Sequence, residues 1–514
     1  MMKDLQIIDC TIRDGGYYTQ WDFDDDVVDA YLSSMEHLPV SYLEIGYRNK
    51  PSKDYMGRFG YTPIPVIRSI REKSSKKLAV MLNQKSVEPA DLDMLAKPLQ
   101  GLADMIRLAV DPANFEKALI LAEHVKALGF EVGFNMMYMS RWEMYEGLMD
   151  RLHALNGVVD GFFMVDSFGG MTPGDVGRIS RAVLGQVKCP VGFHGHNNLQ
   201  MALANSLAAI EAGVARVDAT VLGMGRGAGN LNLELLLTFL SRNAGLDVDF
   251  NELGSAVSAF SPLQEKYSWG TSLPYMISGT YSFPQKEVMD WVTNRVYSFN
   301  SIVRALNNRI GHKEDNAKYP LLPHDRKYSG VLVIGGGRTV RSHISAIRQF
   351  LDSRPDTAVV LATSRHASLF LDVNADIYYC LDGSEASRLT ANVGKDRFRG
   401  TCVLPPYPRV MGTDVPEYAR ESTYELEKVD VVDAFRTSIT AIALQLASEL
   451  SEGEVFLAGY DGYPGNVLSE KEATLTNENN SIFRDYAGKT GRKPVSLTPT
   501  IYKSLEVNSI YQLI

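Results

Sequence analysis

Cysteine is scarce. There are four in 514 residues (Cys10, Cys189, Cys380 and Cys402), far apart and with no CxxC pair. This spacing argues against a disulfide or zinc framework and reads as reduced thiols in a cytoplasmic protein. An excess of positive charge is also missing. Lys and Arg number 52 against 61 Asp and Glu, a formal net charge of −9 without long runs. A nucleic-acid surface is normally basic, so no nucleic-acid partner is expected. No apolar run approaches the ~20 residues that cross a membrane. The opening MMKDLQII carries an aspartate at position 4 and no sustained apolar stretch, so neither a signal peptide nor a membrane partner is expected. What is present is an ordinary globular composition, 45% hydrophobic and 22% charged. The chain is too long for one core, and two or three domains are expected.

Short apolar runs recur at intervals that fit β/α units. They are residues 5–12, 42–47, 77–82, 105–110, 131–137, 161–167, 190–197 and 216–223. Helix-like segments lie between them; LQMALANSLAAIEAG has apolar residues at helical spacing and ends at Gly213, a plausible stop. Strands alternating with helices imply a parallel sheet, and eight such units in this length imply a (β/α)8 TIM barrel. Active sites of such barrels lie where the strands end.

The ends of these runs are polar. DCTIRDGG, residues 9–16, brings Arg13, Asp14 and two glycines together after the first apolar run. An adjacent surface ion pair contributes only ~0–1 kcal/mol, so the pair reads better as a cation and an anion facing a ligand, with the backbone free to approach it. Glu44, Arg107, Asn135 and Ser167 fall on the same rim and are candidate substrate contacts. Arg107 has a second reading, as a barrel-interior residue paired with Glu44. Asn135 could serve only loop backbone, and Asp166 could cap a turn. His194 and His196 are two apart on one strand and so point to the same side. Two imidazoles at that spacing can hold one metal ion, with Asp14 supplying a hard oxygen from a nearby strand end; Mg, Mn, Zn and Fe all suit such a set. The loop GMGRGAGN, 223–230, precedes the helix-like LNLELLLTFL. It is either a plain turn or an anion site at a helix N-terminus.

Taken in order, DCTIRDGG, LEIGYR, MIRLAV, VGFNMMYMS, MVDSFGGMTP, GFHGHNNLQMALANS and GMGRGAGNLNLE resemble the DRE-TIM metallolyase (HMG-CoA-lyase-like) superfamily over about residues 4–240. GFNMMYMS brings the chain nearest to the 4-hydroxy-2-oxovalerate aldolase branch. The resemblance implies a divalent metal, Mn2+ or Mg2+, on Asp14, His194 and His196, with Asn230 matching a further metal-side asparagine. It implies carbon–carbon bond cleavage or formation on a 2-oxo acid and an aldehyde or acyl partner, through a metal-stabilised enolate whose oxygen Arg13 faces. YMISGTYSFPQ resembles the segment that carries an active-site tyrosine in these aldolases, which would be Tyr281. Two features depart from the family. Tyr17 stands where the aldolases have a histidine as candidate base; tyrosines ordinarily ionise near pH ~10, so such a base needs help from the metal or Arg13. The glycine-loop cysteine of HMG-CoA-type lyases is missing.

The expected division is a barrel at 1–240, a helical extension at 241–325 and a smaller Rossmann-like α/β domain at 330–514. In the last, VLVIGGGRTVRSHISAIRQFL reads as strand, glycine turn and helix, followed by further short buried runs. GGGRTV is not a full GxGxxG. Gly335–Gly337 either contact a phosphate or nucleotide, or form a turn for packing. GYDGYPGN and NENNSIF resemble nucleotide-sugar-handling or pterin-pyrophosphokinase-like domains. The alternative function is therefore transfer on a nucleotide or nucleotide sugar by this domain, with the barrel acting on its acceptor. Self-association into a homo-oligomer is left open.

Overall fold

The computed structural model describes residues 5–293, 297–323, 325–463 and 470–514. Two compact units divide the chain, Met1–Asp290 and Trp291–Ile514.

The first unit is a closed barrel of eight parallel strands in sequence order. They are β1 (Gln6–Asp9), β2 (Tyr42–Tyr47), β3 (Lys77–Asn83), β4 (Met105–Val110), β5 (Glu131–Met136), β6 (Gly161–Asp166), β7 (Val191–Gly195) and β8 (Arg216–Ala219). Helices cover the barrel outside and side chains fill it inside, so the strands are buried on both faces. This is why they read as near-continuous apolar runs. Inside, Ile8, Cys10, Tyr42, Ala79, Met105 and Phe163 form one cluster, and the Arg107 guanidinium lies 4.1 Å from the Phe163 ring centroid.

The first strand is shorter than expected. Asp9 accepts hydrogen bonds from the Thr11 amide and the Thr11 hydroxyl, both at 2.9 Å. This local turn ends the ladder at Asp9 and starts a helix, Thr11–Thr19. Arg13 and Asp14 therefore sit on the first turns of a helix rather than on a strand end. The two glycines do not open the backbone to a ligand: a Cβ on Gly15 would stand 2.6 Å from Met224 Sδ, and one on Gly16 would overlap the Trp21 ring. They admit close packing of two large side chains.

The second unit is an eight-stranded parallel sheet in the order β13-β12-β11-β10-β9-β14-β15-β16. Its strands are β9 (Gly330–Ile334), β10 (Thr357–Leu361), β11 (Ile377–Cys380), β12 (Thr401–Leu404), β13 (Thr423–Glu425), β14 (Glu454–Ala458), β15 (Val495–Ser496) and β16 (Glu506–Val507). The order reverses between β9 and β14, as in doubly wound folds. The helix Phe299–Ile310 lies in this unit, with Arg304 donating to Asp315 at 3.1 Å and to the carbonyls of Met411 and Gly412 at 3.0 and 3.2 Å. Gly335–Gly337, read as either a phosphate contact or a packing turn, end close to Asp461. A Cβ on Gly337 would overlap the Asp461 carboxylate, and Asp461 Oδ2 accepts from the Thr339 amide at 3.0 Å. The turn thus packs against the chain's own carboxylate.

Candidate metal and active site

The residues singled out as metal ligands meet at the end of the barrel where the strands finish. Asn230 Nδ2 donates to Asp14 Oδ2 at 2.7 Å, and His194 Nε2 lies 3.4 Å from the same oxygen. The rings of His194 and His196 are 5.0 Å apart, and His196 bridges to Asn230. Each imidazole is oriented through its Nδ1, His194 by Asp218 Oδ2 at 2.9 Å and His196 by the Asp166 carbonyl at 2.8 Å. A ring that donates from Nδ1 keeps a lone pair on Nε2, the tautomer a metal ligand needs. Asn230 Oδ1 is buried with no hydrogen-bond partner among the described residues. Two basic nitrogens, a carboxylate and an orphaned amide oxygen fit a hard or borderline divalent cation.

Charge reinforces the geometry. Burial, with the Arg226 charge nearby, pushes His196 down to about 3, so it is neutral. Burial alone would raise Asp14, but the Arg13 guanidinium and the Asn230 hydrogen bond hold it below its ordinary value. Asp218 is likewise raised by burial and brought down to about 2 by Arg107 and His194. Cys10, His194 and Asp218 also bring donor atoms within 4.8 Å of one another. That set is already filled: Arg107 Nη2 lies 2.7 Å from Asp218 Oδ2, and its Nη1 lies 3.5 Å from Cys10 Sγ. Burial also drives the Cys10 thiol well above its ordinary range, against thiolate ligation.

Arg13 is ion-paired with Asp14 and donates through Nε to Glu44 Oε2 at 2.8 Å. Its Nη2 has no partner among the described residues. Glu44 Oε2 also takes Arg107 Nη1 at 3.2 Å, and Arg107 Nε donates to Asn135 Oδ1 at 3.1 Å. Glu44 and Arg107 are 0% exposed, and Asn135 is buried. Glu44, Arg107 and Asn135, the three candidate substrate contacts, form a buried network that braces Arg13, and for Arg107 this includes the pairing with Glu44 weighed as its second reading. Ser167 is buried after β6, and its Oγ accepts from the Tyr138 amide at 2.9 Å. The Tyr17 hydroxyl lies 3.2 Å from that of Tyr47, whose ring is 5.9 Å from the Arg13 guanidinium carbon.

Tyr281, the candidate active-site tyrosine, follows the helix Leu273–Thr280. It is 49% exposed and stacks on Phe283. The tyrosine of its segment that reaches the glycine loop is Tyr275, which is buried and would stand 3.2 Å from a Cβ on Gly227. Sequence reasoning also missed Asp218 and Arg226. Asp218 had a signal: a carboxylate in the middle of the apolar run RVDATVLG.

A family model described as HMGL-like matches residues 105–258. The oxaloacetate decarboxylase of Mycobacterium tuberculosis is 30% identical over 250 residues, 47% of this chain and 73% of that protein. The 4-hydroxy-2-oxovalerate aldolase of Carboxydothermus hydrogenoformans is 32% identical over 260 residues, 47% of this chain and 72% of that one. The chain belongs to the HMGL-like family. Within this DRE-TIM superfamily of aldolases and lyases it lies near the aldolase branch. The crystal structure of the N-terminal domain of a putative aldolase from Bacteroides vulgatus is 57% identical and covers 59% of this chain and all of that one, with a TM-score of 0.56. This HMGL-like barrel has no helix among its described residues long and apolar enough to cross a membrane.

The second unit has a cavity of about 700 Å³ where β10 to β13 end, lined by Thr363, Asp382, Pro405, Glu427, Ser438 and Asn479 among others. Burial raises Asp382 to about 6.

Proposed function

We propose that the barrel is a divalent-metal-dependent aldolase of the 4-hydroxy-2-oxovalerate aldolase type, cleaving or forming a carbon–carbon bond in a 2-oxo acid through an enolate. The observation that carries this reading is the pair of histidines whose Nδ1 atoms are both engaged, with Asp14 and the orphaned Asn230 Oδ1 beside them. Asp14, His194 and His196 would hold Mn2+ or Mg2+, with Asn230 as a further donor. Once bound, the cation supplies Lewis-acid polarisation of the 2-oxo carbonyl.

The chain's own residues do the rest. In the cleavage direction the 4-hydroxyl loses its proton, the C3–C4 electron pair passes to the 2-oxo acid half as an enolate, and the aldehyde leaves. Arg13 Nη2 meets the charge that develops on the enolate oxygen, a preorganised electrostatic contribution. Glu44, Arg107 and Asn135 act as positioning residues that keep its guanidinium aimed. Tyr17, hydrogen-bonded to Tyr47, holds the proton exchanged with the 4-hydroxyl. Asp218 and the Asp166 carbonyl fix the two imidazoles.

The test is metal content with activity. Wild-type protein purified with Mn2+ should carry one ion and catalyse exchange of the C3 protons of pyruvate in deuterated water. His196→Ala should lose both. Stoichiometric tight metal in purified His196→Ala would refute the ligand set.

A second reading concerns the other unit. We infer that its cavity receives a nucleotide or nucleotide sugar. Ligands of open parallel sheets bind outside the carboxyl ends of the strands, and about 700 Å³ is within the usual range for a small-molecule site. Calorimetric titration with nucleoside diphosphates and their sugar conjugates should give saturable binding that Asp382→Ala weakens. No heat with any of them would end this reading.

A further inference from the structure

Arg226 is the guanidinium of the barrel site that has no carboxylate partner among the described residues. It lies in the loop Gly223–Asn230, which is held in place from several sides. The Tyr18 hydroxyl donates to the Gly227 carbonyl at 2.7 Å, the Asn197 amide to the Gly229 carbonyl at 2.8 Å, and the Asn230 amide to the Gly223 carbonyl at 3.0 Å. Gly223, Gly227 and Gly229 take φ of +62°, +64° and +80°, which suits glycine and fixes the loop's path. The same loop delivers Asn230 to Asp14.

The side chain on this loop lacks a matching anion. Arg226 has no carboxylate partner among the described residues. Its Nη2 makes one long contact, 3.5 Å to the Ser167 carbonyl, and its Nε is buried with no acceptor among the described residues. Arg13 and Arg107, by contrast, each have carboxylate partners. A partly buried cation without an anion is costly, so its place in the site is explained if a ligand brings the anion.

Its position says which part of a ligand. Arg13 stands 5.9 Å from the Tyr47 ring, Tyr47 touches Tyr17 through their hydroxyls, and the Arg226 guanidinium carbon is 5.6 Å from the Tyr17 ring. The two guanidiniums are thus connected through two tyrosines. With Arg13 on the enolate oxygen and Tyr17 on the 4-hydroxyl, the next group along belongs to the aldehyde half. We propose that Arg226 binds a carboxylate or phosphate on the aldehyde half of the substrate, so that the natural 4-hydroxy-2-oxo acid carries a second anionic group. This rests on the aldolase reading above. The bond that forms is unchanged: the enolate pair attacks the aldehyde carbon, and the aldehyde oxygen takes the proton.

The experiment is aldol addition of pyruvate to matched aldehydes. Succinic semialdehyde and glyceraldehyde 3-phosphate are the anionic probes, and pentanal and glyceraldehyde their neutral counterparts. Wild-type protein should favour one anionic probe over its counterpart by about 10–100-fold in kcat/KM, the range of a charged hydrogen-bonded contact. The two arms separate a carboxylate from a phosphate. Arg226→Gln should bring that ratio near one, chiefly through KM. Arg226→Lys should keep part of a phosphate preference but little of a carboxylate preference, because it lacks the planar fork. No anion preference in the wild type overturns the proposal, even if the variants fail to fold. So does a loss in Arg226→Gln that falls equally on charged and neutral aldehydes, which would put the guanidinium on the 2-oxo acid's own carboxylate. Exchange of pyruvate C3 protons in wild type, run without aldehyde, tests the aldolase reading separately: exchange without anion preference fails Arg226 alone.

Discussion

Arg13 holds two carboxylates and still presents one nitrogen. If that nitrogen serves charge that appears only in the transition state, Arg13→Ala should lower kcat for pyruvate C3 exchange by ~10²–10³ with little change in KM. Retained metal with a wild-type exchange rate would exclude the role. Asp9 gives a different prediction, about stability. Burial raises its carboxyl from 3.8 to about 6, against the hydrogen bonds from Tyr31 and Thr11. Between about pH 4 and 6 the folded state therefore binds more protons than the unfolded one, and stability falls as pH rises through that window. Asp9→Asn removes this dependence. Its stability relative to wild type should rise by ~1–3 kcal/mol between pH 4 and 6.5, measured by urea unfolding. A constant difference across the window would show that Asp9 does not titrate there.

At the scale of elements, the helix Thr11–Thr19 is the critical piece, because it carries Arg13, Asp14 and Tyr17 together. Its packing leaves no room at Gly16, where an added methyl overlaps the Trp21 ring, and Trp21 Nε1 donates to the Arg13 carbonyl at 2.8 Å. Gly16→Ala should cost ~1–3 kcal/mol and reduce metal occupancy as the helix shifts; thermal melts and metal analysis at matched protein concentration check both, and an unchanged melt would mean Trp21 yields freely. This helix was also where the sequence was least legible. Apolar periodicity located all eight barrel strands, because burial on both faces leaves a continuous hydrophobic signature. It could not show that the Asp9 side chain stops β1 by bonding to Thr11. The shared direction of His194 and His196 was legible because spacing on a strand sets it, whereas the placement of Asp14 on a helix was not. The bracing of Arg13 by Glu44, Arg107 and Asn135 was only half legible, since closing the barrel decides which polar groups face one another. In the other sheet β13, β15 and β16 escaped notice because two or three residues carry no periodicity.

For the whole molecule, the division at Asp290 and Trp291 has consequences for cutting the chain. All the proposed metal ligands lie before it, and the Bacteroides vulgatus structure is itself of an N-terminal domain, matching 59% of this chain. Residues 1–290 alone should therefore fold, bind one Mn2+ and exchange pyruvate C3 protons at a rate close to that of the full chain. A fragment starting at 330 removes the helix Phe299–Ile310, whose Ile302 and Leu306 are buried. It also strands Asp414, which accepts from Asn308 Nδ2 at 3.0 Å and from Lys313 Nζ at 2.9 Å. Two buried aliphatic side chains are worth roughly 1.5–3 kcal/mol each, a large share of the ~5–15 kcal/mol that keeps a domain folded. Residues 291–514 should thus unfold cooperatively in urea, while 330–514 should show a clearly lower midpoint or no cooperative transition. Equal midpoints for the two fragments would mean that the helix adds nothing to the second fold. Failure of 1–290 to exchange, with metal bound, would make the second unit part of the barrel's chemistry.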